Sequence, residues 1–123
     1  MIGGNMNLIF DNNIPIYIQI VEKIKIDIIS GKLISGERLP SVREFALQMK
    51  VNPNTIQRAL SELEELGLIY TERTNGKFVT DNIKLIKKYK EEYAMKISRE
   101  FFNSMNNIGL SKEEMLEYLG GIE

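Results

Sequence analysis

The chain of 123 residues has neither cysteine nor histidine. Without cysteine no disulfide supports the fold, and the cytoplasm is the expected compartment. Without either residue the usual zinc sites are excluded, and no metal is expected. The same absences remove the commonest general base and the thiol nucleophile. The Asp and Glu residues are scattered on polar helix faces, and the glycines form neither G-x-G-x-x-G nor a P-loop. Neither catalysis nor a cofactor is expected. No apolar run approaches the roughly 18 residues that a membrane span needs. No secretory pattern opens the chain, so no membrane partner is expected. An excess of one charge is missing too. The net charge is −1: residues 1–80 carry nine Lys/Arg and nine Asp/Glu, and residues 81–123 carry seven and eight. Any binding of nucleic acid must therefore rest on local geometry rather than on a basic surface.

What is present is concentrated between residues 39 and 58, LPSVREFALQMKVNPNTIQR. Ser41 and Glu44 make an S-x-x-E capping box, which starts a helix at Val42. Val42, Phe45, Ala46 and Met49 follow at helical spacing. Asn52 then supplies a cap and Pro53 a first helical residue. Ile56, Ala59, Leu60, Leu63 and Leu66 form the apolar stripe of the second helix. Only Lys50 to Asn52 separate the two helices, at about 42–49 and 53–66. That spacing fits a helix-turn-helix, whose second helix presents its N-terminal residues to the major groove.

These residues also carry a resemblance. From Pro15-Ile16-Tyr17-Ile18-Gln19-Ile20 through Gly31, Gly36-Glu37-Arg38-Leu39-Pro40-Ser41-Val42-Arg43-Glu44 and Val51-Asn52-Pro53-Asn54-Thr55 to Gly76-Lys77-Phe78-Val79, the chain resembles the GntR-type winged-helix transcription regulators. The short remaining tail is similar to that of the YtrA-type subfamily. The resemblance implies a homodimer on a palindromic double-stranded DNA operator, acting as a repressor. It also implies a small-molecule effector that changes the angle between the C-terminal helices.

Around the motif, residues 1–13 are polar and rich in Gly and Asn, and are expected to be a flexible N-terminus. Ile14-Pro15 opens a helix whose Tyr17, Ile20, Val21, Ile24, Ile28 and Ile29 should face the core, ending at Gly31. Lys32 to Arg38 is a turn around Gly36, and Leu39 a strand of one or two residues. Residues 68–72 and 77–80 are β-rich and flank a turn at Arg73 to Gly76, whose Asn-Gly dipeptide is a hairpin signal. This hairpin is the wing. Ile69 with Phe78 or Val79 should pack on the helices, because a lone hairpin is marginal in water.

After Asp81, Ile86, Tyr89, Tyr93, Ile97, Phe101, Met105 and Ile108 recur every three or four residues along a helix of some 25 residues ending at Gly109. Ser111 and Glu114 make a second capping box before Met115, Leu116 and Leu119. Two helices cannot bury so many large apolar groups on each other alone. A partner chain is the favoured solution, with packing back on the winged domain as the alternative. The expected architecture is mainly α with a small β-hairpin. A winged helix-turn-helix domain at 14–80 is followed by a short C-terminal helical dimerisation tail at 81–123.

The candidate DNA-binding residues are Ser41, Arg43, Asn52, Asn54, Thr55, Gln57, Arg58, Asn75, Gly76 and Lys77. Ser41 and Asn52 are caps first; the helix end that Ser41 caps also suits a phosphate. Arg43 is either a solvated arginine or a contact to a base edge or phosphate, since arginine can grip guanine with two hydrogen bonds; by the resemblance it matches a DNA-contacting arginine. Asn54 and Thr55 are either local caps or contacts to phosphate and base. Gln57 suits adenine and Arg58 a phosphate, the bland alternative being an exposed helix face. In the family the glycine at the wing tip lies in or near the minor groove. The family tip usually has a second glycine and more basic residues than Arg73-Thr74-Asn75-Gly76-Lys77, and position 53 is proline where some relatives carry a basic side chain. A winged helix that binds only protein would also suit the neutral charge, but would not need Arg43, Asn54 or Arg58.

Overall fold

The computed structural model describes residues 10–123. Seven elements follow one another: α1 (Ile16–Ser30), α2 (Val42–Met49), α3 (Pro53–Glu65), β1 (Ile69–Glu72), β2 (Gly76–Val79), α4 (Ile83–Asn107) and α5 (Lys112–Gly120). The chain forms two compact units, the first reaching to Lys88 and the second covering Tyr89–Glu123. The division falls inside α4, eight residues beyond the boundary expected at residue 80. Gly67 shows why residues past 80 stay with the first unit. A Cβ built there would come within 3.1 Å of the Leu85 side chain, so α4 begins in close contact with the turn after α3.

The start of α1 is tied down by a residue one turn inside it. Pro15 precedes the helix and has no side-chain cap to offer. Gln19 ties the preceding turn to the helix, donating from Nε2 to the carbonyls of Asp11 (2.7 Å) and Ile14 (2.8 Å) and accepting from the Asp11 N–H (2.8 Å). The flexible segment expected at 1–13 lies outside the described residues over 1–9. Over 11–13 it is a turn held by Gln19 and by the Asp11 carboxylate, which accepts from the Asn13 N–H.

Ile20, Val21, Ile24 and Ile28 of α1 are buried, and so is Asp27, which the apolar pattern does not reveal. Asp27 shares the inward stripe, and Lys23 Nζ at 3.1 Å neutralises it one turn away. Tyr17 and Ile29 are only half-buried. α3 packs on α1 and α2 on α3, and the buried Ile56, Ala59, Leu60 and Leu63 of α3 with Phe45, Ala46 and Met49 of α2 close the core of the first unit. Lys50 joins the two motif helices with φ 57°, the one non-glycine residue at positive φ among those described.

The wing is antiparallel, pairing Ile69 with Val79, Tyr70 with Phe78, Thr71 with Lys77 and Glu72 with Gly76. Alternation sends Ile69 and Val79 into the core and leaves Tyr70 and Phe78 stacked on the other face, ring centres 5.6 Å apart. Val79, not Phe78, is therefore the inward anchor of the returning strand. The strand expected at Leu39 is a single bridge one residue earlier, between Arg38 and Phe78. The Leu39 N–H donates to the Lys77 carbonyl (2.8 Å) and the Val79 N–H to the Glu37 carbonyl (2.8 Å), so residues 37–39 run beside β2.

In the second unit, Gly109 at φ 88° turns the chain from α4 to α5, whose capping box is complete. Met115 is buried there. Along its whole length α4 has no buried residue. No helix among the described residues is long and apolar enough to cross a membrane.

Candidate nucleic-acid interface

Two helix starts and one turn place the candidate residues. At α2 the capping box is formed in both directions: the Glu44 N–H donates to Ser41 Oγ (3.1 Å) and the Ser41 N–H to Glu44 Oε1 (3.0 Å). Glu44 is held below the usual carboxylate range by its bonds with Ser41, opposed by slight desolvation and helped by the charge of Arg38. A charged Glu44 also suits the positive end of α2. Arg43 follows the cap and is exposed, because Val42, Phe45, Ala46 and Met49 take the inward side.

At α3, Asn52 Oδ1 accepts the Asn54 N–H (2.8 Å), and Pro53 occupies the first turn. Ile56 and Ala59 anchor the helix to the core, which turns Asn54, Gln57 and Arg58 outward and leaves Thr55 half-buried. No acidic residue lies in that first turn. Asn54, Thr55 and Arg58 share a shallow recess of about 350 Å³ with Ile16 and Tyr17 of α1. Arg58 stacks on Tyr17, its guanidinium carbon 3.8 Å from the ring centre. Three of the expected residues thus converge with a fourth, Tyr17, which the sequence pattern places in the core. Tyr17 stands one turn before the fully buried Ile20, at the edge of the stripe, and that position was the available signal.

At the wing, Arg73, Thr74 and Asn75 form the turn, and Gly76, expected within it, is instead the first residue of β2, paired with Glu72. Asn75 Nδ2 donates to Glu72 Oε2 (3.1 Å), and Gly76 has φ 100°. Lys77, expected among the DNA contacts, has a partner within the chain. Its ammonium is paired with Glu64 near the end of α3 and donates to Thr71 Oγ1 at 2.9 Å. Thr71 Oγ1 in turn donates to Glu64 Oε1 (2.6 Å). Lys77 lies across from Thr71 in the hairpin, on the side that faces α3, so its charge is drawn inward.

A helix-turn-helix, a hairpin wing packed beside it and an uncovered start to the second helix define a winged helix-turn-helix domain of the DNA-reading class. The model of the bacterial regulatory proteins, gntR family, matches residues 16–79. The chain belongs to that family and is a DNA-binding transcriptional regulator, not an enzyme. It is 43% identical over 108 residues to the HTH-type transcriptional regulator YhcF of Bacillus subtilis, covering 88% of this chain and 89% of that protein. It is also 43% identical over 70 residues to the transcriptional repressor YtrA of the same organism, covering 57% of this chain and 54% of YtrA. Among solved structures it is similar to a GntR family transcriptional regulator from Listeria monocytogenes, with a TM-score of 0.85 and 39% identity over 93% of this chain and all of that one.

Proposed function

We propose that the protein is a homodimeric repressor, working in the cytoplasm on a palindromic double-stranded operator. The observation that carries this reading is the exposed, acid-free start of α3. Asn54, Gln57 and Arg58 project there from a helix whose other face is locked into the core. Side chains so placed suit base edges and phosphates in the major groove. Arg43 at the start of α2 adds a second arginine. Ser41 and Asn52 hold the two helix starts in shape and present those ends to phosphates. The wing, with Asn75 in its turn and Gly76 beginning β2, flanks the site.

The homodimer is supported by the tail. Ile97, Phe101 and Phe102 of α4 and Met115, Leu116 and Leu119 of α5 line an apolar groove of about 580 Å³ in the second unit. Tyr89, Tyr93 and Met105 are half-buried on the same helix. Ile86 also stands in α4 but falls within the first unit. A second copy would cover this surface and bring two reading heads to two half-sites. An effector that altered the pairing of tails would alter the spacing of the heads.

The test is a gel shift on duplexes that the protein selects from a random-sequence pool, repeated at two salt concentrations. Specific binding that weakens steeply with salt is expected. Arg43→Ala should cost about 1–3 kcal/mol of affinity while the melting temperature hardly moves. Selection that yields no sequence preference would count against operator binding, and wild-type affinity in the variant would remove Arg43 from the interface.

A further inference from the structure

The wing tip is poor in available positive charge. Between residues 73 and 79 the basic side chains are Arg73 and Lys77, and Lys77 is paired with Glu64. A third basic group reaches the tip from a different part of the chain. Residues 37–39 run beside β2, and Leu39 is buried. Successive side chains in an extended segment point to opposite sides, so Arg38 faces outward, and it is exposed. Its guanidinium lies along Gly76. A Cβ added to Gly76 would stand 3.3 Å from Arg38 Nε and 3.5 Å from Nη2. Glycine at position 76 therefore serves two ends: it permits φ 100° and leaves room for the arginine. Arg38 also adds its charge to the surroundings of Glu44 in the first turn of α2. It thus lies near both the start of β2 and the helix start that bears Arg43.

We infer that Arg38 is a DNA-contacting residue, supplying to the phosphate backbone beside the wing a positive charge in addition to that of Arg73 in the turn. An exposed guanidinium beside the wing presents its forked donors where a phosphate can meet them. Its carriage on the loop before α2, rather than on the hairpin, ties its position to that of the reading head. The inference rests on the operator-binding reading above.

The experiment measures affinity for a selected duplex by fluorescence anisotropy across a salt series, for the native protein and for Arg38→Gln, Arg38→Lys and Lys77→Gln. Arg38→Gln should bind roughly tenfold or more weakly, with the salt slope reduced by about one released ion per protomer. Arg38→Lys keeps the charge and should recover the slope. Lys77→Gln should leave the slope as it is, because that charge is already paired. Circular dichroism melts check that each variant is folded. A native slope in a folded Arg38→Gln protein would overturn the inference while leaving operator binding intact. Loss of slope in Lys77→Gln, with none in Arg38→Gln, would overturn it in favour of the lysine. Failure of the native protein to bind any duplex would overturn the underlying reading and the inference with it.

Discussion

The guanidinium carbon of Arg58, on the second turn of α3, stands 3.8 Å from the ring centre of Tyr17, at the start of α1. The two helices thereby share one fixed group at the mouth of the recess. An arginine over an aromatic face is attracted by the ring quadrupole, by about 0.5–1 kcal/mol where solvent is near. The contact aims a long side chain that would otherwise sample many rotamers.

Tyr17 should therefore act on DNA affinity through Arg58. Tyr17→Leu removes the π face and should weaken operator binding by about two- to fivefold, the equivalent of that cation–π energy. Tyr17→Phe retains the face and should bind like the native protein. Anisotropy titrations separate the two. Equal losses in both variants would assign the effect to the phenol hydroxyl instead of the ring.

The pairing of Glu64 with Lys77 gives the wing a dependence on pH. The Glu64 carboxyl is lowered from its ordinary value of 4.5, first by the Lys77 hydrogen bond and then by the Thr71 hydroxyl, against the opposing effect of burial. A carboxyl whose folded pKa is depressed contributes stability that is fully present above its unfolded value. That contribution is lost as pH falls through the folded one. Stability should thus decline below about pH 4.5. Glu64→Gln should flatten part of that decline while costing under about 1 kcal/mol at neutral pH, since the Glu64 side chain is 35% exposed and well screened. Urea unfolding over a pH series measures both quantities. An unchanged acid limb in the variant would show that other carboxylates, Glu44 and Glu114 among them, account for it.

The elements that were legible in the chain are those specified by neighbours. Ser41 with Glu44 and Ser111 with Glu114 close their boxes within three residues, so local chemistry suffices to place α2 and α5. Asn52-Pro53 starts α3 for the same reason, whereas the wing turns over Arg73, Thr74 and Asn75, one residue short of the expected Gly76. The candidate site divides along this line. Asn54, Gln57 and Arg58 were readable because the apolar residues of α3 fix which side is outward. The partners of Arg58 and Lys77 were not, since Tyr17 lies 41 positions before Arg58 and Glu64 13 before Lys77. Only the packing of α1 and the hairpin against α3 brings them together. Arg38 belongs with these: its place at Gly76 depends on residues 37–39 joining β2, which the pattern suggests only as a short strand at Leu39. The burial of Asp27 is not legible either, because spacing alone does not disclose that Lys23 pairs with it there.

The tail supplies the last test. In the described chain, Ile97 is 60% exposed and Leu116 60%, beside Phe101 and Met115 in one apolar groove. Contiguous apolar surface of this kind is characteristic of an interface. If two copies meet there, Ile97→Asp places a carboxylate where water is excluded, a penalty far greater than the lost area alone would impose. The variant should run as a monomer in light scattering while the winged unit keeps its melting behaviour. Its operator affinity should fall steeply, because two half-sites would no longer be read by one linked molecule. Ile97→Leu should remain a dimer. A native protein that is itself monomeric at the concentrations used for DNA binding, or an Ile97→Asp protein that still dimerises, would move the interface away from this groove.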